Sequence, residues 1–90
     1  LYGELADVIP DTETADDRFD SSEIAGYLNE FLRNCKPKNR DIFTGRYYFN
    51  LSVRDIARRM GMTETAVKTR LSRIRADLRE YLIRNGVSVD

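Results

Sequence analysis

Ser52 to Leu82, SVRDIARRMGMTETAVKTRLSRIRADLREYL, decides the fold. Val53, Ile56, Ala57 and Met60 recur at i, i+3, i+4 and i+7, which sets them on one face of a helix. Ser52 stands where that helix needs an N-cap, and Asp55 follows three residues later, as in a capping box. Gly61 comes just after the last periodic residue, where a left-handed stop favours glycine. Thr63 then caps a second helix, and Glu64 in its first turn meets the positive end of the helix dipole. Only Gly61, Met62 and Thr63 separate the two helices. So short a connection predicts a helix-turn-helix pair crossing at a steep angle.

The second helix has two unlike sides. At about 100° per residue, Leu71, Ile74, Leu78, Tyr81 and Leu82 lie within roughly 60° of Val67 and form a stripe to be buried. Thr65, Thr69, Ser72 and Ala76 lie opposite and are all small. Lys68 and Arg79 flank this row on one side and Arg73 on the other. Small residues let a helix approach base edges in a major groove; hydroxyls donate or accept there, and Lys or Arg reaches guanine O6 and N7. Polar residues also stand opposite the stripe of any surface helix, so periodicity alone leaves a plain solvated face open.

Charge is distributed unevenly behind a neutral total. Leu1 to Cys35 holds nine acids and two bases, a net of −7, whereas Lys36 to Asp90 holds thirteen bases and six acids, a net of +7. The basic part would attract phosphates with salt-dependent affinity. The acidic leader reads as a solvated linker or as a nucleic-acid mimic.

Ninety residues suffice for one small domain. The expected fold is all-α, a four-helix domain with a C-terminal helix-turn-helix. Residues 1–20 are read as an acidic linker with a short apolar helical segment (Leu1, Leu5, Val8, Ile9) stopped by Pro10, 21–86 as the domain, and 87–90 as a tail. Asp20 to Glu23 resembles a cap for a helix carrying Ile24, Leu28, Phe31, Leu32 and Cys35. Pro37 suits the first turn of the next helix, whose core face is Ile42, Phe43 and Tyr47, closed by Tyr48 and Phe49. Gly45 inside it has no evident reason, and Asn50 supplies the turn before Ser52. With Leu1 in the place of a methionine, a piece of a longer protein is expected. The one cysteine has no internal disulfide partner, and the absence of histidine argues against a zinc constellation. No metal or cofactor is expected. No run of about 18 apolar residues exists, so no membrane span is expected, and a cytoplasmic setting fits.

From about Glu4 to Gly86 the chain resembles the C-terminal region-four domain of bacterial RNA polymerase sigma factors, in particular the compact type called extracytoplasmic-function. The residues carrying the likeness are Arg40, Ile42 and Phe43; Arg46, Tyr47 and Tyr48; Ser52, Asp55, Ile56 and Ala57; and Val67 to Arg73. The resemblance implies recognition of the −35 promoter element through the last helix, with Lys68, Thr69, Ser72 and Arg73 at the base-reading positions. Arg46, Arg54, Thr65 and Arg70 are expected at the DNA backbone, although Arg46 could instead pair internally with Asp41 or Asp55. The resemblance also implies core RNA polymerase as a partner, through its β-flap, and an anti-sigma protein covering the same surfaces. Phe31, Phe43, Tyr47 and Tyr48 are the candidates for such docking. Thr69 departs from the serine common at its position, adding a methyl that suits a thymine.

Two other classes remain. A response-regulator type of DNA-binding domain shares the Ile-Ala, Gly and Thr-Val spacing but dimerises through its last helix, whereas a monomer is expected here. A protein-docking module would contact DNA only weakly. An enzyme lacks support, since there is no histidine, glycine-rich phosphate loop or convergent acid or nucleophile cluster. Removal of Leu1 to Asp20 is expected to raise affinity for duplex DNA at low salt, measured by fluorescence anisotropy. Unchanged affinity would leave the leader a plain linker.

Overall fold

The structure, a computed structural model, describes residues 21–87 of the chain. Among the described residues there are four helices and no strand: α1 (Ser21–Arg33), α2 (Pro37–Tyr47), α3 (Val53–Met60) and α4 (Glu64–Arg84). The apolar segment expected near Leu1 to Ile9 and residue 20 of the proposed first cap lie outside the described residues.

Local chemistry sets the helix ends. Ser52 Oγ accepts from the Asp55 N–H at 3.0 Å, and Thr63 Oγ1 accepts from the Ala66 N–H at 3.0 Å, each satisfying a donor that its helix leaves open. At the end of α3, Gly61 takes φ 67°, and the Ala57 carbonyl accepts from Met62 N–H at 2.9 Å. At the end of α4 the Leu82 carbonyl accepts from Val87 N–H at 2.9 Å and the Ile83 carbonyl from Gly86 N–H at 3.0 Å. That pair of bonds is the Schellman pattern. Asn50 carries the turn between α2 and α3 with φ 59°, a left-handed conformation that asparagine tolerates better than most residues.

The stripe of α4 is the floor on which the other helices rest. Val67, Leu71, Ile74, Leu78 and Leu82 are buried, and they pack with Ile56 and Ala57 of α3, Ile42 and Phe43 of α2 and Leu32 of α1. Full burial of a Leu, Ile or Phe side chain stabilises by about 1.5–3 kcal/mol, so this cluster outweighs any one cap. Aromatic rings extend it: Tyr81 meets Phe31 at 5.6 Å and Tyr27 at 6.4 Å between centroids, and Phe43 meets Tyr47 at 4.8 Å.

Arg40 ties α1 to α2. Its Nε donates to the Leu32 carbonyl at 2.9 Å, and its Nη2 donates to those of Arg33 and Cys35, each at 3.2 Å. The Leu32 and Arg33 carbonyls belong to the end of α1 and that of Cys35 to the turn just after it, where a helix leaves acceptors open and its dipole favours a cation. The sequence singles out Arg40 only as part of a family pattern; its task in the fold is to cap α1.

Gly45 has a packing reason. It is buried in α2, and a Cβ there would meet Leu51 Cδ1 at 3.5 Å and Ile56 Cγ1 at 3.6 Å. One methyl fits in ordinary contact, but a branched side chain does not. Gly45→Ala is therefore expected to stabilise the fold by about 0.5–1 kcal/mol through helix propensity. Gly45→Val should lower the melting temperature, followed by far-UV circular dichroism.

Candidate nucleic-acid interface

The helix-turn-helix presents its ridge to solvent because its stripe is used up inside. Thr65, Lys68, Thr69, Ser72, Arg73, Ala76 and Arg79 of α4 are all exposed, on a helix about 31 Å long at 1.5 Å per residue. Burial of the stripe turns the opposite side outward without any further specification. Lys68 and Arg73 make no hydrogen bond or ion pair with other described residues, so their charges remain available to an outside acceptor. Arg54 at the start of α3 is exposed as well, as are Arg58 and Arg59. Arg58 stands four residues after Arg54, the i+4 spacing that puts two residues on one side of a helix. That spacing is the signal by which the sequence could have added Arg58 to the candidates.

Two of the expected backbone contacts have internal partners. Arg46 is half-buried, and its Nη1 donates to the Leu51 carbonyl at 3.0 Å, holding the turn between α2 and α3. Arg70 is half-buried on the edge of the α4 stripe. Its Nη1 donates to Asn39 Oδ1 of α2 at 2.8 Å. A guanidinium beside an apolar seam finds its nearest acceptor across that seam. Arg46 thus fastens α2 to the turn before α3, and Arg70 fastens it to α4. Arg54 and Thr65 keep open positions.

The four docking candidates separate by exposure. Phe43 is 1 % exposed, which corrects its assignment as a contact: it supports the surface from beneath but touches nothing outside. Phe31 and Tyr47 are half-buried. Tyr48 is 54 % exposed, and Phe49, expected to close the core, is 72 % exposed. The chain turns through Asn50 immediately afterwards, which carries the Phe49 ring away from the α2 core face. Tyr48 and Phe49 thus form an aromatic step on the turn before α3.

Two described titratable groups, Cys35 and Tyr81, are shifted upward. Partial burial pushes the Cys35 thiol up, with Arg40 pulling it down and Asp77 adding to the rise; a protonated thiol at a helix end is a packing group. Burial, the Glu30 charge and a hydrogen bond to Glu30 all raise the Tyr81 phenol, which therefore stays protonated at neutral pH. Among the described residues no group of three or more Cys, Asp or Glu side chains is placed to hold a metal ion. No described helix is long and apolar enough to cross a membrane.

A family model described as sigma-70, region 4 matches residues 27–78. No curated protein and no solved structure matches the chain. The match spans the end of α1, all of α2 and α3, and α4 as far as Leu78, and so includes the whole exposed ridge from Thr65 to Ala76.

The Arg70–Asn39 bond is testable by a double-mutant cycle. Arg70→Ala and Asn39→Ala should each destabilise the fold, with a coupling of about 0.5–1.5 kcal/mol between them in urea denaturation. Additive effects would show that the pair contributes nothing of its own.

Proposed function

The chain belongs to the sigma-70 region 4 family, and from that membership we propose that it reads the −35 promoter element as the promoter-recognition part of a sigma factor on core RNA polymerase. The observation that carries this reading is the exposed set Lys68, Thr69, Ser72 and Arg73 on and beside one ridge of α4. Lys68 and Arg73 bring donors that suit guanine O6 and N7, while Thr69 and Ser72 bring short hydroxyls and, at Thr69, a methyl for thymine. Arg54 and Thr65 serve phosphates at the mouth of the groove, and Arg58 adds charge from α3. Arg46 and Arg70 contribute field from behind the surface while holding the helices together.

The domain acts as a monomer in this reading, since the α4 stripe that a dimer would need is already consumed by α1, α2 and α3. A second contact belongs with the first. The exposed Tyr48 and Phe49 favour docking of a protein partner, for which the polymerase β-flap and an anti-sigma protein are the proposed occupants. A setting with access to polymerase and chromosome, the cytoplasm, follows from that function.

Selection of a random duplex library by the chain tethered to a β-flap peptide tests the reading. A short enriched motif that disappears with Lys68→Ala or Arg73→Ala is the expected result. Salt-sensitive retention with no motif would reduce the basic surface to phosphate binding and leave protein docking as the main role. For Arg73→Ala a loss of about 1–3 kcal/mol confined to the preferred sequence is expected. An equal loss on every sequence would reassign Arg73 to the backbone.

A further inference from the structure

Arg75 belongs to neither the ridge nor the core. At about 100° per residue it lies roughly 80° from Val67, in line with Lys68 at about 100° and Arg79 at about 120°. The three form a basic row of about 16 Å along one flank of α4, at 1.5 Å per residue. A helix about 10–12 Å wide fills a major groove about 12 Å wide. Residues on the ridge and at its edges then face base edges, while those about 90° from its centre face the groove walls, where the phosphates stand. Arg75 occupies such a position.

Its side chain is also aimed. Arg75 is half-buried, and its Nη1 donates to Tyr47 Oη at 2.9 Å. The Tyr47 ring is itself seated on Phe43, with centroids 4.8 Å apart, and Phe43 is buried in the core. The phenol therefore holds the guanidinium from below against a fixed support. Among the described residues Tyr47 is the one hydrogen-bond partner of Arg75, so the other N–H donors of its planar fork remain for an outside acceptor. Tyr47 lies at the end of α2 that leads into α3. Arg70, on the opposite flank, is turned inward to Asn39 near the other end of α2. The two flanks are thus unequal, and the Arg75 side carries the continuous cation row.

We propose that Arg75 is a DNA-backbone contact, pre-aimed by Tyr47 as a positioning residue, on the flank of α4 that also carries Lys68 and Arg79. This rests on the reading of α4 as a DNA-binding helix, but it needs only duplex binding and not the −35 sequence. A side chain already held in place loses less conformational freedom on binding than a free one, which gives the Tyr47 bond a purpose beyond helix packing.

The test is a salt titration of the whole 90-residue chain on a duplex of random sequence and on the selected motif. Arg75→Gln should lower the slope of log K against log salt by about 0.9, the value of one phosphate contact, and by the same amount on both duplexes. Arg75→Lys should restore the slope, and Arg33→Gln, removing a cation on α1, should not change it. Tyr47→Phe keeps the ring and removes the hydroxyl; it should leave the slope intact while weakening binding a few-fold. A lowered melting temperature with an unchanged slope in Arg75→Gln would overturn the proposal and leave an interhelix tie. Should Arg75→Gln fail to fold, unchanged DNA affinity in Tyr47→Phe would overturn it equally. Binding without any selected motif would sink the −35 reading alone, whereas a wild-type chain that binds no duplex would sink both.

Discussion

Everything in this domain depends on the burial of one stripe on one helix. Val67, Leu71, Ile74, Leu78 and Leu82 line a single side of α4, and α1, α2 and α3 each cover part of it. Because the stripe is long, the covering helices need not form a separate core of their own; three short helices share one large partner. The same burial orients the opposite ridge. A side chain 180° from a fully buried leucine has no course but outward, so core packing and ligand presentation are two results of one constraint.

Arginine is divided between two employments. Arg40 closes the end of α1, Arg46 the turn before α3, and Arg70 and Arg75 join α4 to α2. All four lie at seams where a long aliphatic stem packs on apolar surface and the head group finds an oxygen. Lys68, Arg73, Arg54 and Arg58 stand away from the seams and face solvent. A charge sum over the chain cannot make this separation. The field that a DNA duplex meets comes mostly from the second group, while the first fixes the angle at which that group is held, with Arg75 proposed to serve both.

The turn after α2 has a comparable double character. Gly45 lets Leu51 and Ile56 approach α2, and Asn50 turns the chain in a left-handed conformation. Around this turn Tyr47 and Tyr48 both meet the Phe43 ring, Tyr48 by its edge at 6.5 Å, while Tyr48 stays half exposed and Phe49 mostly so. Exposed aromatic rings of this size lose hydration favourably on contact with a partner, so the turn gives the domain a second face that is chemically unlike the cationic ridge.

The sequence by itself determined the four helices of the domain, both ends of α3, the start of α4 and the two-sided character of α4. Caps at Ser52 and Thr63, the glycine stop at Gly61 and apolar periodicity act within a turn or two of chain, so they can be read in order along it. The exposed ridge was legible for the same reason, since it is the complement of the stripe. The employment of each arginine was not legible, nor were the sequestration of Phe43 from any partner, the exposure of Phe49 and the space around Gly45. Those were decided by tertiary structure: Arg70 meets Asn39 across 31 positions and Arg75 meets Tyr47 across 28. Hydrogen bonds over such separations depend on how helices cross, and no local pattern of residues carries that angle.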